Sequence, residues 1–525
     1  MNTNDKSTPL HTKNLSVILI LEGLAVGTVA GLIVLLYRII LTYAGTWLHK
    51  ILAYASQSPL KMAGWFLFLI FIAFLVSRLL LWEPMISGSG IPQLEGEMGG
   101  KMDSSWWKVL PAKFLGGFLC LLAGLSLGRE GPSIQLGSMT GKGFSRLFHR
   151  GKTEEKYLLT CGASAGLAAA FGAPLAGVLF SLEEIHKNFS VSVLVSVMTA
   201  SITADFITTS LLGTAPVFQF SVIGSLPQQY YWMLVILGVL LGILGAFYNW
   251  FTLKVQSLYQ NSPRLNTFTR LLIPFLLAGV LGFTLPELLG SGGNLVERIT
   301  GDGMVFRMAL LFFFLKFLYS AISFGSGAPG GIFFPLLVLG SLIGGIFGMV
   351  CIDYLGLPAE YLNNFILLSM AGYFTAIVRA PLTGIILIFE MNGSLDQLLS
   401  LTTVAAISYV TATLLKSEPI YESLLIRLLQ KQGIQEPEAT GEKILSEYVI
   451  MHGSSLEGKT ISEIPWPSHC LVVAVQSQGK ESIPRGNTLL RASDTVIILS
   501  EEHSFPHVHE KVTHLCQENP MHLSP

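Results

Sequence analysis

The sequence predicts an all-α polytopic membrane protein made of two related halves with broken helices, followed by a small α/β domain. Three observations predict it. Charged residues make up 12% of the 525 and hydrophobic residues 51%, whereas soluble chains carry about 25% charged residues. The mean hydropathy is +0.59. Short Gly/Pro-rich motifs recur in matching order along the chain.

The chain divides by composition. Residues 1–13 are polar, lack the charged-then-apolar form of a cleaved signal, and read as a cytoplasmic lead. Residues 14–430 form the membrane body. Stretches long enough to span occur at Val17–Tyr37, Met62–Leu81, Tyr230–Phe251, Leu271–Leu288, Met308–Phe324 and Phe365–Ile388. Many are broken by Gly or Pro, which a membrane tolerates only where backbone is buried in protein or lines a cavity. That favours a transporter or channel over an enzyme. Residues 431–443 are a polar linker with Gly and Pro, residues 444–518 a soluble domain, and 519–525 a tail. From Lys431 onward 19 of 95 residues are charged, against 46 of the first 430.

Several functions are excluded. A net charge of −1 leaves no basic field for nucleic acid. Cys120, Cys161, Cys351, Cys470 and Cys516 are scattered, which rules out a disulfide framework and a Cys-based zinc site. His503, His507 and His509 lack further ligands at metal spacing, so no metal is expected. No Walker-type loop is present, and no cofactor is expected.

The two halves emerge from an internal repeat. Ser126, Gly128 and Pro132 match Ser323, Gly325 and Pro329 at an offset of 197. Leu136-Gly137-Ser138 then match Leu339-Gly340-Ser341 at 203, after a short insertion. Ala173-Pro174-Leu175, Gly177 and Glu183 match Ala380-Pro381-Leu382, Gly384 and Glu390 at 207. Related halves with broken segments at corresponding positions place a substrate site between them.

Three motifs carry the chemistry: Gly88-Ser89-Gly90-Ile91-Pro92, Gly128-Arg129-Glu130-Gly131-Pro132 and Gly330-Gly331-Ile332-Phe333-Phe334-Pro335. Gly lets backbone N–H groups turn toward a ligand, and Pro at the first helical position leaves the first turn intact. Helix N-termini offer unpaired donors and a partial positive charge. Several such ends meeting at mid-membrane bind an anion without trapping it. The Ser89 hydroxyl is a further neutral donor. Glu130, a carboxylate within a membrane stretch, is a functional candidate by default. Burial and nearby N–H groups pull its protonation in opposite directions.

These three stretches resemble the signatures of ClC chloride channels and transporters. The resemblance covers about residues 14–430, with the segments APLAGVLFSLEE and APLTGIILIFEM and Tyr421 in KSEPIYESLL. It implies about eighteen helices in two inverted-topology halves, and a homodimer with one anion path per subunit. It implies that the Ser89 and Tyr421 hydroxyls and the Ile332 and Phe333 amides hold chloride. Gly88, Gly90, Gly128, Gly131 and Gly331 would form the supporting loops. Glu130 would be the gating carboxylate and proton acceptor; Arg129 stands where many members have Lys. Members with Ser at position 89 favour chloride, whereas Pro is typical of nitrate-preferring ones. Glu184 matches the internal proton-transfer glutamate of bacterial exchangers. The plainer alternative makes Glu183 and Glu184 a solvated helix end beside Lys187. The implied function is exchange of chloride for protons across the cell membrane, a bacterial inner membrane, with a passive voltage- or pH-gated chloride channel as the alternative. Glu390 and Glu22 receive no role, Glu22 facing a polar cavity or a partner helix.

In the soluble domain, strands are expected at Leu471–Val475, Glu481–Ile483 and Thr495–Ser500, after a helical piece near Gly458–Ile464. SLEGKTISEI, LVVAVQSQGK and SIPRGNTLLRASDTVIILSE resemble a TrkA-C module. That implies a small cytoplasmic regulatory fold that binds a small-molecule ligand or dimerises.

Overall fold

The computed structural model describes residues 8–517 apart from 188, 219, 302–303, 394–395, 435–442, 478–479 and 502–503. The chain forms two compact units that divide between Leu428 and Leu429.

The first unit is helical. Its first half comprises α1 Thr8–Ala55, α2 Pro59–Trp82, α3 Ile91–Met98, α4 Trp106–Leu122, α5 Glu130–Leu147, α6 Lys152–Phe171, α7 Pro174–Phe180 and α8 Val191–Leu212. The second half repeats the series as α9 Tyr231–Asn261, α10 Thr267–Thr284, α11 Gly293–Thr300, α12 Phe306–Gly325, α13 Phe333–Leu355, α14 Leu362–Val378, α15 Pro381–Asn392 and α16 Leu398–Leu414. A further helix, α17 Ile420–Lys431, has Tyr421 in its first turn.

Among the described residues, 8 helices are long and apolar enough to cross a membrane. Two of them, α8 and α13, lie outside the expected stretches. The expected span Phe365–Ile388 is instead two helices. Arg379 takes a left-handed φ of 73° and Pro381 opens α15, because proline cannot extend the helix before it. The first expected stretch is part of a much longer helix. With 48 residues, α1 is about 70 Å long, against a hydrocarbon core of about 30 Å.

The repeat is also more regular than expected. Helix α5 starts at Glu130 and α13 at Phe333, so Gly128 and Pro132 correspond to Gly331 and Pro335 at one offset of 203. The 197 alignment of Ser126 with Ser323 is therefore displaced, and no insertion separates the segments. Those two serines touch instead: the Ser126 amide donates to Ser323 Oγ at 3.3 Å.

Small residues let the helices pack backbone to backbone. On α1, Gly23, Gly27 and Gly31 rest on Ser196, Ala200 and Ala204 of α8. The four-residue spacing stacks them on one face, the arrangement that favours association where hydrophobic burial cannot drive it. The second half does the same with Gly238 and Gly242 of α9 against Ile407 and Thr411 of α16. Gly137 of α5 meets Gly162 of α6, and the equivalent Gly340 of α13 meets Met370 of α14. Glu22 of α1 is ion-paired with Arg150.

The second unit is a four-stranded antiparallel sheet of β1 Lys443–Val449, β2 Cys470–Ser477, β3 Lys480–Ser482 and β4 Thr495–Glu501, in the order β1-β4-β2-β3. Helix α18, Phe505–Cys516, packs Val508, Val512 and Cys516 onto Tyr448, Val496 and Ile498. Strand β1 and helix α18 were not anticipated. The expected helical piece is one 3-10 turn, Ile461–Glu463. His509 bonds Tyr448 Oη at 3.1 Å, and His503 lies outside the described residues. Among those residues no group of three His, Cys, Asp or Glu is placed to hold a metal.

Candidate functional site

Each motif ends at a helix N-terminus. Gly90 precedes α3 with φ of 93°, a left-handed conformation that a Cβ disfavours. Arg129 caps α5, which makes Glu130 its first residue. Ile332 caps α13, which makes Phe333 its first. The unpaired N–H groups of these first turns are the donors that the sequence anticipated.

The three loops are tied into one knot by backbone hydrogen bonds. Gly128 N donates to Gly331 O at 2.6 Å, Gly331 N to Gly128 O at 2.8 Å, and Gly330 N to Gly88 O at 2.9 Å. Gly131 lies against Ser89, where an added Cβ would meet the Ser89 carbonyl at 2.9 Å. Lys113 of α4 is fully buried, and its Nζ donates to Ile86 O at 2.9 Å and Gly88 O at 2.6 Å.

Sequence reasoning missed the counterpart of the first motif. Gly290-Ser291-Gly292 precedes α11 as Gly88-Ser89-Gly90 precedes α3. The glycine φ values are 63° and 95° in one and 64° and 93° in the other. Lys316, also fully buried, donates to Leu288 O at 2.9 Å and Gly290 O at 2.8 Å. The shared Gly-Ser-Gly spacing, and two lone lysines in apolar helices 203 residues apart, were the available signals.

The candidate residues of the three loops are buried at this knot, and Tyr421 is buried as well. Ser89 is 1% exposed and its Oγ accepts from Ile91 N at 3.3 Å. Ile332 and Phe333 are fully buried, the Phe333 ring 4.6 Å from Phe374 and 5.5 Å from Phe171. Tyr421 is fully buried, and its hydroxyl has no hydrogen-bond partner among the described residues. Glu130 is fully buried, and its carboxylate faces the backbone N–H groups of Arg129, Glu130 and Phe334 without a well-formed hydrogen bond. Arg129 Nε is 3.9 Å away. A cavity of about 310 Å³ opens on Glu130, lined also by His49, Arg129, Ser291 and Phe334.

Glu184 is not a solvated helix end. It is buried in a wider π-type turn, Ser181–His186, that continues α7. Its charged neighbours are Glu95, Lys187 and Glu422, and both oxygens of the buried Glu95 carboxyl lack a hydrogen-bond partner among the described residues. Glu95, on α3, was missed because it reads as an ordinary polar position in a short helix. The Tyr421 phenol lies within electrostatic range of Glu184, Glu95 and Glu130. Glu183 accepts from Leu382 N at 3.2 Å and from Thr383 N and Oγ1 at 2.9 and 2.8 Å. Glu390 accepts from Leu175 N at 2.9 Å and Ala176 N at 2.7 Å.

A neutral hydroxyl and helix N-termini in one buried knot can hold a dehydrated anion, and a carboxylate at the same knot can compete with that anion. The chain is similar to known proteins. The family model for the voltage gated chloride channel matches residues 68–413, and the TrkA-C domain model matches residues 445–512. The H(+)/Cl(-) exchange transporter ClcA of Klebsiella pneumoniae is 35% identical over 393 residues, which is 73% of this chain and 80% of that protein. The ClcA of Citrobacter koseri is 33% identical over 447 residues, 82% of this chain and 92% of that protein. Among solved structures, a slow cyanobacterial Cl-/H+ antiporter matches with a TM-score of 0.74 at 30% identity, covering 79% of this chain and 99% of that one. A CLC-type fluoride/proton antiporter shares the fold at 22% identity with a TM-score of 0.65, covering 77% and 97%.

Proposed function

This chain belongs to the voltage-gated chloride channel family, and from that premise we propose that it exchanges chloride for protons across a bacterial inner membrane. The observation that carries the reading is a pair of buried carboxylates, Glu130 and Glu184, both within electrostatic range of the partnerless Tyr421 hydroxyl. A passive channel needs only the anion path. An exchanger also needs a second carboxylate to pass protons, and Glu184 supplies it.

Chloride sits among the N–H groups of Ile332 and Phe333 and the hydroxyls of Ser89 and Tyr421. Partial charges hold it, so it can leave. Ionised Glu130 takes the outer anion position, where helix N-termini favour negative charge. Protonated, it gives up that position and carries its proton outward. Protons reach it from the cytoplasm by way of Glu184, with Glu95 a second carboxyl at that point of the path. Gly88, Gly90, Gly128, Gly131 and Gly331 hold the backbone donors in place. Opposite movement of the two ions results, because the carboxylate and the anion compete for one position. The two gradients drive the cycle.

Residues 14–430 carry this transport, in a homodimer with one pathway per subunit. Residues 444–518 form a cytoplasmic domain that regulates transport through a small-molecule ligand or through dimerisation. Deleting 440–525 would alter transport or its response to ligands; unchanged transport with no ligand response would count against a regulatory role.

The main test is proton movement driven by a chloride gradient in sealed proteoliposomes. Uphill H⁺ movement is expected in the wild type and absent in Glu130→Gln and Glu184→Gln, while chloride flux persists. Chloride flux without H⁺ movement in the wild type would make the protein a channel. No chloride flux would remove the anion site itself.

A further inference from the structure

We propose that Glu183 is a positioning residue for proton transfer: it clasps the opposite half of the protein and thereby fixes where Glu184 stands. The inference rests on the reading of Glu184 as the internal proton carrier.

The clasp is reciprocal. Both α7 and α15 begin Ala-Pro-Leu, and each places a glutamate nine residues after the proline. Proline at the first position leaves the following N–H groups of the turn without partners. The residues that precede the two helices, Ala173 and Ala380, offer no side-chain cap. The partners come instead from the other half. Glu183, beyond the end of α7, bonds the Leu382 and Thr383 amides of α15 and the Thr383 hydroxyl. Glu390, near the end of α15, bonds the Leu175 and Ala176 amides of α7. Each carboxylate thus meets the positive end of the opposite helix dipole, and each helix is held at both ends.

The two halves of the clasp differ at the residue after the glutamate. Beyond Glu390 comes Met391, within a regular α-helix. Beyond Glu183 comes buried Glu184, within the wide turn Ser181–His186. A π-type turn holds an extra residue per hydrogen-bonded loop and marks a break in the regular register. Within that turn, Glu183 has three hydrogen bonds to a fixed point outside its own helix. With Glu183 anchored on α15, the turn that carries the next residue, Glu184, is fixed at one point. Without the anchor, the wide turn has other registers open to it, and Glu184 loses its defined approach to Glu95.

The test compares H⁺ movement per chloride in proteoliposomes of Glu183→Ala, Glu183→Gln, Thr383→Val and Glu184→Gln. Glu183→Ala is expected to lower the H⁺/Cl⁻ ratio several-fold while chloride flux persists. Glu183→Gln keeps one acceptor oxygen, and Thr383→Val removes one donor of three, so both should fall between Ala and the wild type. If the Ala variant fails to fold, these two carry the comparison. A wild-type ratio in Glu183→Ala, or in both milder variants, would overturn the proposal. So would a parallel loss of H⁺ and Cl⁻ flux, which marks a merely structural contact. Undiminished H⁺ movement in Glu184→Gln would instead sink the underlying reading, and the proposal with it.

Discussion

Two glycine-to-alanine changes should move stability in opposite directions. In the α5–α6 contact, a Cβ on Gly162 would fall on the carbonyl oxygen of Gly137, with further backbone atoms of residues 137–138 within 3.1 Å. Nothing there is a flexible side chain, so the two helices must separate. Such overpacking costs about 1–3 kcal/mol, against a gain of up to ~1 kcal/mol from replacing a helical glycine. Even with the full gain, Gly162→Ala should therefore lose up to about 2 kcal/mol. At Gly64 of α2, none of the described residues has an atom within 4 Å of the same added carbon. Gly64→Ala meets no such cost and should gain up to ~1 kcal/mol. Thermal denaturation of the purified protein in detergent reads the difference, as a lower midpoint for one and an equal or higher midpoint for the other. Because α5 begins at Glu130, Gly162→Ala should also slow chloride efflux from proteoliposomes. A midpoint for Gly162→Ala at or above that of the wild type would refute close backbone contact between α5 and α6.

Other substitutions probe separate parts of the molecule. Lys142 Nζ lies 2.7 Å from Glu97, with the two side chains 3% and 4% exposed. Lys142→Met strands a buried carboxylate and should cost about 3–5 kcal/mol, read as a fall in thermal midpoint that a second change, Glu97→Leu, largely reverses. In the sheet domain, Ile498 is 1% exposed. Ile498→Ala should cost about 2–5 kcal/mol and make residues beyond 443 far more sensitive to limited proteolysis of the full chain. Glu463 accepts a 2.8 Å hydrogen bond from Thr460 N, which holds its carboxyl below its ordinary value. A lowered value means that its contribution is present above the ordinary carboxylate range and lost as pH falls through the lowered one. Proteolysis of the sheet domain across acidic pH should therefore show a smaller pH dependence in Glu463→Gln than in the wild type.

The parts legible in the sequence were those marked by local chemistry. Gly and Pro at 88–92, 128–132 and 330–335 each announced a helix start, and helices do start at Ile91, Glu130 and Phe333. The counterpart loop at 290–294 has Asn294 where proline would have flagged it. Taken singly, Lys113 and Lys316 carry no sequence sign of a role, because a buried ammonium is explained only by the carbonyls that surround it. Glu390 was visible as the repeat partner of Glu183, but its role depends on amides more than 200 residues away. The register of the repeat was misjudged for a related reason. Ser126 and Ser323 are the same residue type in similar company, yet they touch each other and are not equivalents. In the sheet domain, β1 comes after a polar segment and its exposed face carries charge. Only its pairing with β4, Lys443 opposite Glu501 through Val449 opposite Thr495, makes it a strand.

The loop knot has a consequence for how this protein can be dissected. The donors proposed for the anion are largely amides, and an amide N–H belongs to every residue except proline. Replacing Ile332 or Phe333 with alanine removes a side chain and leaves the N–H in place, so a conventional scan of side chains would pass over the cradle. The same holds for the two backbone hydrogen bonds that bridge Gly128 and Gly331. Only a change to the backbone itself, such as an amide-to-ester replacement introduced by semisynthesis or nonsense suppression, deletes one of these donors without moving anything else. On the proposed reading, anion recognition is encoded in chain direction and is nearly invisible to the genetic code.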